Sequence, residues 1–277
     1  MKLKVYAKLN LTLDVTGRDG AYHALSSLCC SVDLFDEITV NRAEKITLDC
    51  PEIPLPPEKN NAYLAAQAFF AAFGEGGAAI GIKKGIPVGG GLGGSTADIV
   101  GTAKALSLLY GKPDVLPLVN GLCSDGAFML TGGFGVMEGR GDRVRFLPYR
   151  ELFFVLIPVS GGVPTGKCFA LSDEMEKQPP VTEKAVEALL SSGEIFPYLK
   201  NDLYPAAKEL LPEIGEAFSA IGKTRPLCRS MSGSGSTVFG IYRTRKEAER
   251  ACFTLKEKYP QAVAAASVPC GVEVTEK

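Results

Sequence analysis

Strand-like and helix-like segments interleave along the whole chain, and this order predicts an α+β or α/β protein. Three observations carry that expectation. The first forty residues show the alternating hydrophobicity of strands. A glycine cluster at 89–94 separates a short strand from a helix. Beyond residue 150, helical spacings and strand-like runs keep exchanging. With 277 residues, 46% of them hydrophobic and 22% charged, the chain has ordinary globular composition and room for two modest domains.

The elements follow in order. Val5 to Val15 alternates at Leu9, Leu11, Leu13 and Val15 and reads as a strand, closed by a turn at Gly17 to Gly20. Further strands are expected over Leu25 to Val32 and Glu37 to Val40. Pro51 to Pro57 reads as a loop, and Asn60 or Asn61 as the cap of a helix from Ala62 to Phe73 that closes near Gly74. Ala79 to Lys83 is a short strand. After the glycine cluster, Ile99, Val100, Ala103, Leu106 and Leu109 fall at helical spacing until Gly111 and Pro113 stop the helix. Leu152 to Val159 is an apolar run without alternation, as in a buried strand, and a domain boundary is placed just before it near Pro148. Helices are then expected around Val186 to Leu190, Ala206 to Ile221 and Arg245 to Tyr259, with strands at Thr237 to Tyr242 and Val272 to Val274.

Charge and cysteine usage narrow the function classes. The formal net charge is −1 and no Lys/Arg block occurs, which argues against nucleic acid as a partner. Eight cysteines without a C-x-x-C pair argue against a zinc or thioredoxin-type site and read as reduced thiols. The N-terminal residues enter a strand pattern with no apolar signal-like stretch, and Leu152 to Val159 is too short to span a bilayer. The expectation is a soluble, cytoplasmic protein without a membrane partner.

The segment Pro87-Val88-Gly89-Gly90-Gly91-Leu92-Gly93-Gly94-Ser95-Thr96 carries the strongest chemical signal. Glycines let a backbone approach a ligand closely, and the N–H groups of the following helical turn favour an anion. The hydroxyls of Ser95 and Thr96 suit a phosphate oxygen or Mg²⁺. A Walker loop would need Gly-Lys-Ser/Thr, and no lysine is present. A dinucleotide fingerprint is matched only because glycine-rich runs match it easily. A flexible turn capped by Ser95 is the plainer alternative.

Pro87 followed, after three residues, by Gly91-Leu92-Gly93-Gly94-Ser95 resembles the second motif of the GHMP kinases, with Gly94 in place of the first serine. In matching order, Ala7-Lys8-Leu9-Asn10-Leu11 resembles the first motif and Met231-Ser232-Gly233-Ser234-Gly235-Ser236 the third. The chain is most similar to the branch that acts on a cytidine-diphosphate-linked sugar alcohol, through Tyr22-His23, Asp33 to Ile38, Ser124-Asp125, Thr131-Gly132-Gly133, Gly139 to Asp142 and Asn201-Asp202-Leu203. It departs from the branch in Ala21, inserted before Tyr22, and in Ala24, Gly126-Ala127 and Ala97.

The resemblance implies an α+β, two-domain fold, with residues 1–149 carrying the phosphate loop, 150–277 forming the second domain, and the active site in the cleft between them. It implies an ATP- and Mg²⁺-dependent kinase, monomeric or weakly dimeric. Asp125 would be the base and Lys8 its cationic partner. Pro87, Gly89, Gly90, Gly91, Leu92, Gly93, Gly94, Ser95 and Thr96 would hold the nucleotide phosphates, with Ser95 or Thr96 on Mg²⁺, and Asn61 would line the adenine pocket. Asn10, Tyr22, His23, Thr165, Phe169, Gly233 and Ser234 would meet the acceptor, Tyr22 and Phe169 by stacking on its base. Each has a plainer alternative: a solvated Lys8, a helix-start Asp125, a cap at Asn61, a core-packed Phe169. Other family substrates (homoserine or mevalonate type) and a non-catalytic ligand-binding homologue stay open at this point, and binding of cytidine nucleotides discriminates among them.

Overall fold

The computed structural model describes residues 1–20, 22–74, 76–112 and 114–277, without the side chain of Asp19. The inserted Ala21 and the expected helix stop at Pro113 lie outside the described residues. In chain order the first half contains β1 (Lys2–Asn10), β2 (Asp14–Asp19), β3 (Tyr22–Ala43), β4 (Thr47–Asp49), α1 (Asn61–Phe73), β5 (Gly77–Lys83), α2 (Gly94–Tyr110), α3 (Leu116–Leu122), α4 (Gly126–Thr131), β6 (Phe134–Gly139) and β7 (Arg143–Leu147). The second half contains β8 (Phe153–Ile157), α5 (Thr165–Asp173), α6 (Thr182–Ser191), α7 (Tyr204–Leu210), α8 (Glu213–Lys223), β9 (Cys228–Met231), β10 (Val238–Tyr242), α9 (Arg245–Leu255), β11 (Val263–Val268) and β12 (Val272–Glu276).

One mixed sheet joins the two halves in the order β12-β1-β3-β11-β8-β10-β9, with β2, β5 and β6 also pairing with β3. Its pairs are antiparallel except β4 with β5. The two strands expected at 25–32 and 37–40 are one long strand, β3. Its register against β1 jumps from Tyr6↔Phe35 to Ala7↔Val32, so Asp33 and Leu34 bulge out and interrupt the alternation that a single strand would show. The Asp33 carboxylate uses the bulge to accept the Ala266 N–H of β11 at 2.8 Å. The strand expected over 5–15 is instead split between β1 and β2, because the chain turns away at Leu11 and Thr12, both donating to Leu28 O. The helix expected over 206–221 is two helices, α7 and α8, since Pro212 cannot continue an α-helical ladder.

The apolar side chains fall into two cores. The larger packs Leu3, Val5, Leu9, Ile38 and Val40 of the sheet against α1 and α2. The smaller packs Val155, Ile157 and Val238 against α7, α8 and α9. In β1 the odd-numbered residues enter the larger core, so Lys8 and Asn10 face the other side of the sheet, where the cleft lies.

Candidate active site

A cleft of about 820 Å³ runs between the two halves. It brings together the residues singled out above, with Leu92 as the exception. The Leu92 side chain is buried in the larger core, and its carbonyl accepts the Lys8 backbone N–H at 3.0 Å, which ties the glycine loop to β1.

Lys8 and Asp125 meet on the floor of the cleft, Nζ to Oδ2 at 3.2 Å. Lys8 also donates to Asn10 Oδ1 at 2.6 Å, and Asn10 Nδ2 donates to Ser27 Oγ at 2.7 Å. Burial works to lower the Lys8 pKa, but the Asp125 carboxylate, with a smaller contribution from Cys29, turns the net shift upward and keeps the ammonium charged. The neighbouring Cys29 thiol is pushed up to about 11 by burial, so it is a neutral neighbour. Asp125 occupies the residue before α4 yet makes no capping bond. The carboxylate is directed at Lys8 instead. Lys8 is buried rather than solvated, and Asp125 stands at a helix start, as its plainer reading has it, with its carboxylate paired to Lys8.

The glycine loop leads into the N-terminus of α2. Gly93 precedes the helix with φ +81°, no side chain caps it, and the first backbone bond of the turn is Ala97 N–H to Gly93 O at 2.8 Å. The N–H groups of Gly94, Ser95 and Thr96 therefore precede the helical ladder, and these residues line the cleft. The expected Ser95 cap is not formed. Gly91 has φ +73°, and a Cβ there would sit 2.4 Å from Ser232 O. Only glycine lets the two loops meet, and Ser232 Oγ secures the meeting by donating to Gly91 O at 2.9 Å.

Asn60, not Asn61, caps α1: its Oδ1 accepts the Ala62 N–H at 2.9 Å. The Asn61 side chain is left free of that task at the cleft wall.

Among the residues expected to meet the acceptor, His23 stacks on Phe169 with ring centroids 4.5 Å apart and planes 19° from parallel. His23 Nε2 lies 2.9 Å from Asp173 Oδ1, and Arg18 pairs with the same carboxylate. The hydrogen bond to His23 leads the causes that hold Asp173 below its usual range. Phe169 is half-buried, packed partly on the smaller core while its ring lines the cleft. Tyr22 is 59% exposed, with the Arg140 guanidinium 4.6 Å over its ring. Thr165 Oγ1 and Ser234 Oγ lie 3.0 Å apart, and Asn201 Nδ2 fixes the third-motif turn by donating to Gly233 O at 2.9 Å.

Sequence reasoning missed Lys84, and with it the cluster that joins Asp36 and Asp98 beneath the glycine loop. Lys84 Nζ donates to Asp36 Oδ2 at 2.5 Å, Asp98 Oδ1 at 2.8 Å and Gly94 O at 3.2 Å. Burial pushes the Asp98 carboxyl up to about 6, against the pull of the Lys84 cation. Arg140 was also missed as a cleft residue, although its segment 139–142 had been noted for its resemblance.

A cleft with a lysine–aspartate ion pair below an uncapped helix N-terminus suits a phosphotransferase acting on a small molecule. Residues 60–132 match the N-terminal domain of the GHMP kinases and residues 183–261 their C-terminal domain. The chain belongs to the GHMP kinase family, whose members are ATP-dependent. It is 37% identical to the 4-diphosphocytidyl-2-C-methyl-D-erythritol kinase of Desulfitobacterium hafniense (strain Y51), over 93% of this chain and 92% of that protein. It is 33% identical to the kinase of the same name from Carboxydothermus hydrogenoformans, over 90% and 91%. The crystal structure of a 4-(cytidine 5'-diphospho)-2C-methyl-D-erythritol kinase superposes with a TM-score of 0.84 at 30% identity, covering 96% of this chain and 99% of that one. A homoserine kinase from Cytophaga hutchinsonii shares the fold, with a TM-score of 0.75 at 20% identity over 99% and 96%. No helix among the described residues is long and apolar enough to cross a membrane.

Proposed function

We propose that the protein transfers the γ-phosphoryl group of ATP to the 2-hydroxyl of 4-diphosphocytidyl-2-C-methyl-D-erythritol, a step of non-mevalonate isoprenoid synthesis. The observation that carries the chemistry is the Lys8–Asp125 pair at 3.2 Å below the glycine loop. The acceptor follows from relatives of that name covering nearly the whole chain.

Asp125 receives the hydroxyl proton as the oxygen attacks the γ-phosphorus; the new O–P bond forms and the bond to the departing ADP oxygen breaks. Lys8 holds the Asp125 carboxylate in place by the ion pair at 3.2 Å and offsets charge that builds on the transferring oxygens. The N–H groups of Gly94, Ser95 and Thr96 hold the phosphates in line with the acceptor. Asn61 lines the adenine side, and Phe169, His23 and Tyr22 hold the base of the acceptor. Asn10, Thr165, Gly233 and Ser234 orient its sugar alcohol.

The donor set fits Mg²⁺ delivered with the nucleotide, since Mg²⁺ takes one or two protein oxygens and fills its shell with phosphate and water. Ser95, which lines the cleft and makes no hydrogen bond as a cap, would hold it, or Thr96 beside it, which is 7% exposed. Bound there, the ion neutralises phosphate charge.

The chain divides near 149/150, between β7 and β8, and the two family matches fall on either side. It acts in the cytoplasm as a monomer or weak homodimer, in keeping with its eight free cysteines. The test is incubation with ATP, Mg²⁺ and the cytidine-linked acceptor, following ADP and the 2-phosphate product, with Asp125→Ala as the control. Turnover abolished in the variant supports both acceptor and base. Absence of wild-type turnover, with turnover of homoserine or mevalonate, overturns the acceptor.

A further inference from the structure

Lys84 directly follows the last residue of β5, and the glycine-rich loop 85–93 begins at the next residue. Its ammonium has three protons, and each has an acceptor: Asp36 Oδ2 on β3, Asp98 Oδ1 on α2, and the carbonyl of Gly94, the first residue of α2. The side chain is 5% exposed, and the two carboxylates 0% and 3%. The second oxygen of Asp36 accepts the N–H groups of Gly85 and Ile86, each at 2.8 Å. One buried cluster thus bonds the residues on both sides of the loop to each other and to the sheet.

Glycines at 85, 89, 90, 91, 93 and 94 leave this loop with unusual freedom when unconstrained. Contacts at its tip hold other atoms: Thr237 N–H to Gly90 O at 3.1 Å and Lys8 N–H to Leu92 O at 3.0 Å. Neither reaches the first turn of α2, where the phosphate-facing N–H groups lie. Lys84 does, through the Gly94 carbonyl.

We propose that Lys84 is a positioning residue for phosphoryl transfer: it closes the glycine loop into a ring against Gly94 and so pre-sets the N–H groups that receive the nucleotide phosphates. An open loop would have to be ordered by the nucleotide, and its affinity would fall accordingly. The inference deepens the kinase reading on its nucleotide side and is independent of which alcohol is the acceptor.

The experiment uses the full chain, with ADP binding by calorimetry, amide hydrogen exchange, and separate KM values for ATP and acceptor. In Lys84→Met, ADP binding weakens ~10-fold, about 1.4 kcal/mol. Amides of 89–94 exchange faster by ~10-fold or more, and the acceptor KM stays within ~2-fold, because the acceptor wall does not touch Lys84. Lys84→Met leaves Asp36 and Asp98 repelling each other in the interior and risks unfolding. The double variant Lys84→Met/Asp98→Leu removes that repulsion, keeps Asp36 on its two N–H donors, and retains the ADP defect. A folded double variant that binds ADP as the wild type does overturns the proposal, as does a loss shared equally by ATP and acceptor. Failure of the kinase reading itself shows separately, as a wild type that binds no ADP.

Discussion

Lys8 Nζ and Asp125 Oδ2 stand 3.2 Å apart, the lysine near the end of a buried strand and the aspartate at the start of a short helix. Only 9% of the lysine side chain and 27% of the aspartate are exposed, so the pair is open on the carboxylate side, toward the cleft. Asp125→Asn removes the base while keeping the shape. The expected loss in kcat is about 10²–10⁴-fold, with ADP binding unchanged by calorimetry. A kcat within a factor of a few of wild type would remove Asp125 from the mechanism.

Asn60 and Asn61 separate two roles that the sequence left merged. Asn60→Ala removes the α1 cap and is expected to lower stability by about 1 kcal/mol in denaturant unfolding, with a KM for ATP near the wild-type value. Asn61→Ala is expected to do the reverse: unchanged unfolding and a raised KM for ATP. Equal unfolding losses in the two variants would contradict the assignment.

Phe169→Ala is expected to raise the acceptor KM through the loss of stacking, on the order of 1–3 kcal/mol, while the KM for ATP holds. A substrate analogue with the cytosine deleted should bind the wild type and the variant alike; a difference between them on that analogue would assign Phe169 to packing.

Asp98 makes stability depend on pH. Its carboxyl titrates near 3.8 when unfolded and at about 6 in the fold. Between these values the native state holds more protons than the unfolded one, so this residue's contribution to stability falls as pH rises through the window, and its cost is fully present above about pH 6. Asp98→Asn keeps an acceptor for Lys84 and removes the titration. Its Tm is expected to exceed wild type at pH 7.5, on the order of 1–3 kcal/mol in stability, with the gap closing toward pH 4. A gap of constant size across that range would show that Asp98 ionisation is not its source.

The site was legible where chemistry and backbone geometry write the same residues. The glycine loop, Lys8 and Asp125 stand in short segments whose spacing is local, and the fold delivers them to one cleft. Leu92 belongs to the same run but faces the core, because alternate sides of a loop pressed on a sheet must differ. Lys84 and Asp36 were not legible: a lysine at a strand end and an acid in mid-strand ordinarily meet water, and nothing local announces a partner 48 residues away. His23 and Phe169 were singled out, but not their stacking on each other, which depends on how the β2–β3 hairpin meets α5. In the fold, the bulge at Asp33 and Leu34 hid one long strand as two, since a register jump erases the period by which strands are recognised.

That strand, β3, sets a distance. Its first residues carry His23 to the acceptor wall, its middle pairs with the stretch of β1 that holds Lys8, and its far part carries Asp36 to the base of the phosphate loop. A paired strand advances ~3.3 Å per residue and resists stretching, so the gap between the two ends of the cleft works as a gauge of molecular length. For the proposed reaction, an alcohol is expected to be accepted when its anchoring group and its hydroxyl span that gauge. New acceptors can then arise by rebuilding the His23 end alone, with the phosphate machinery left in place.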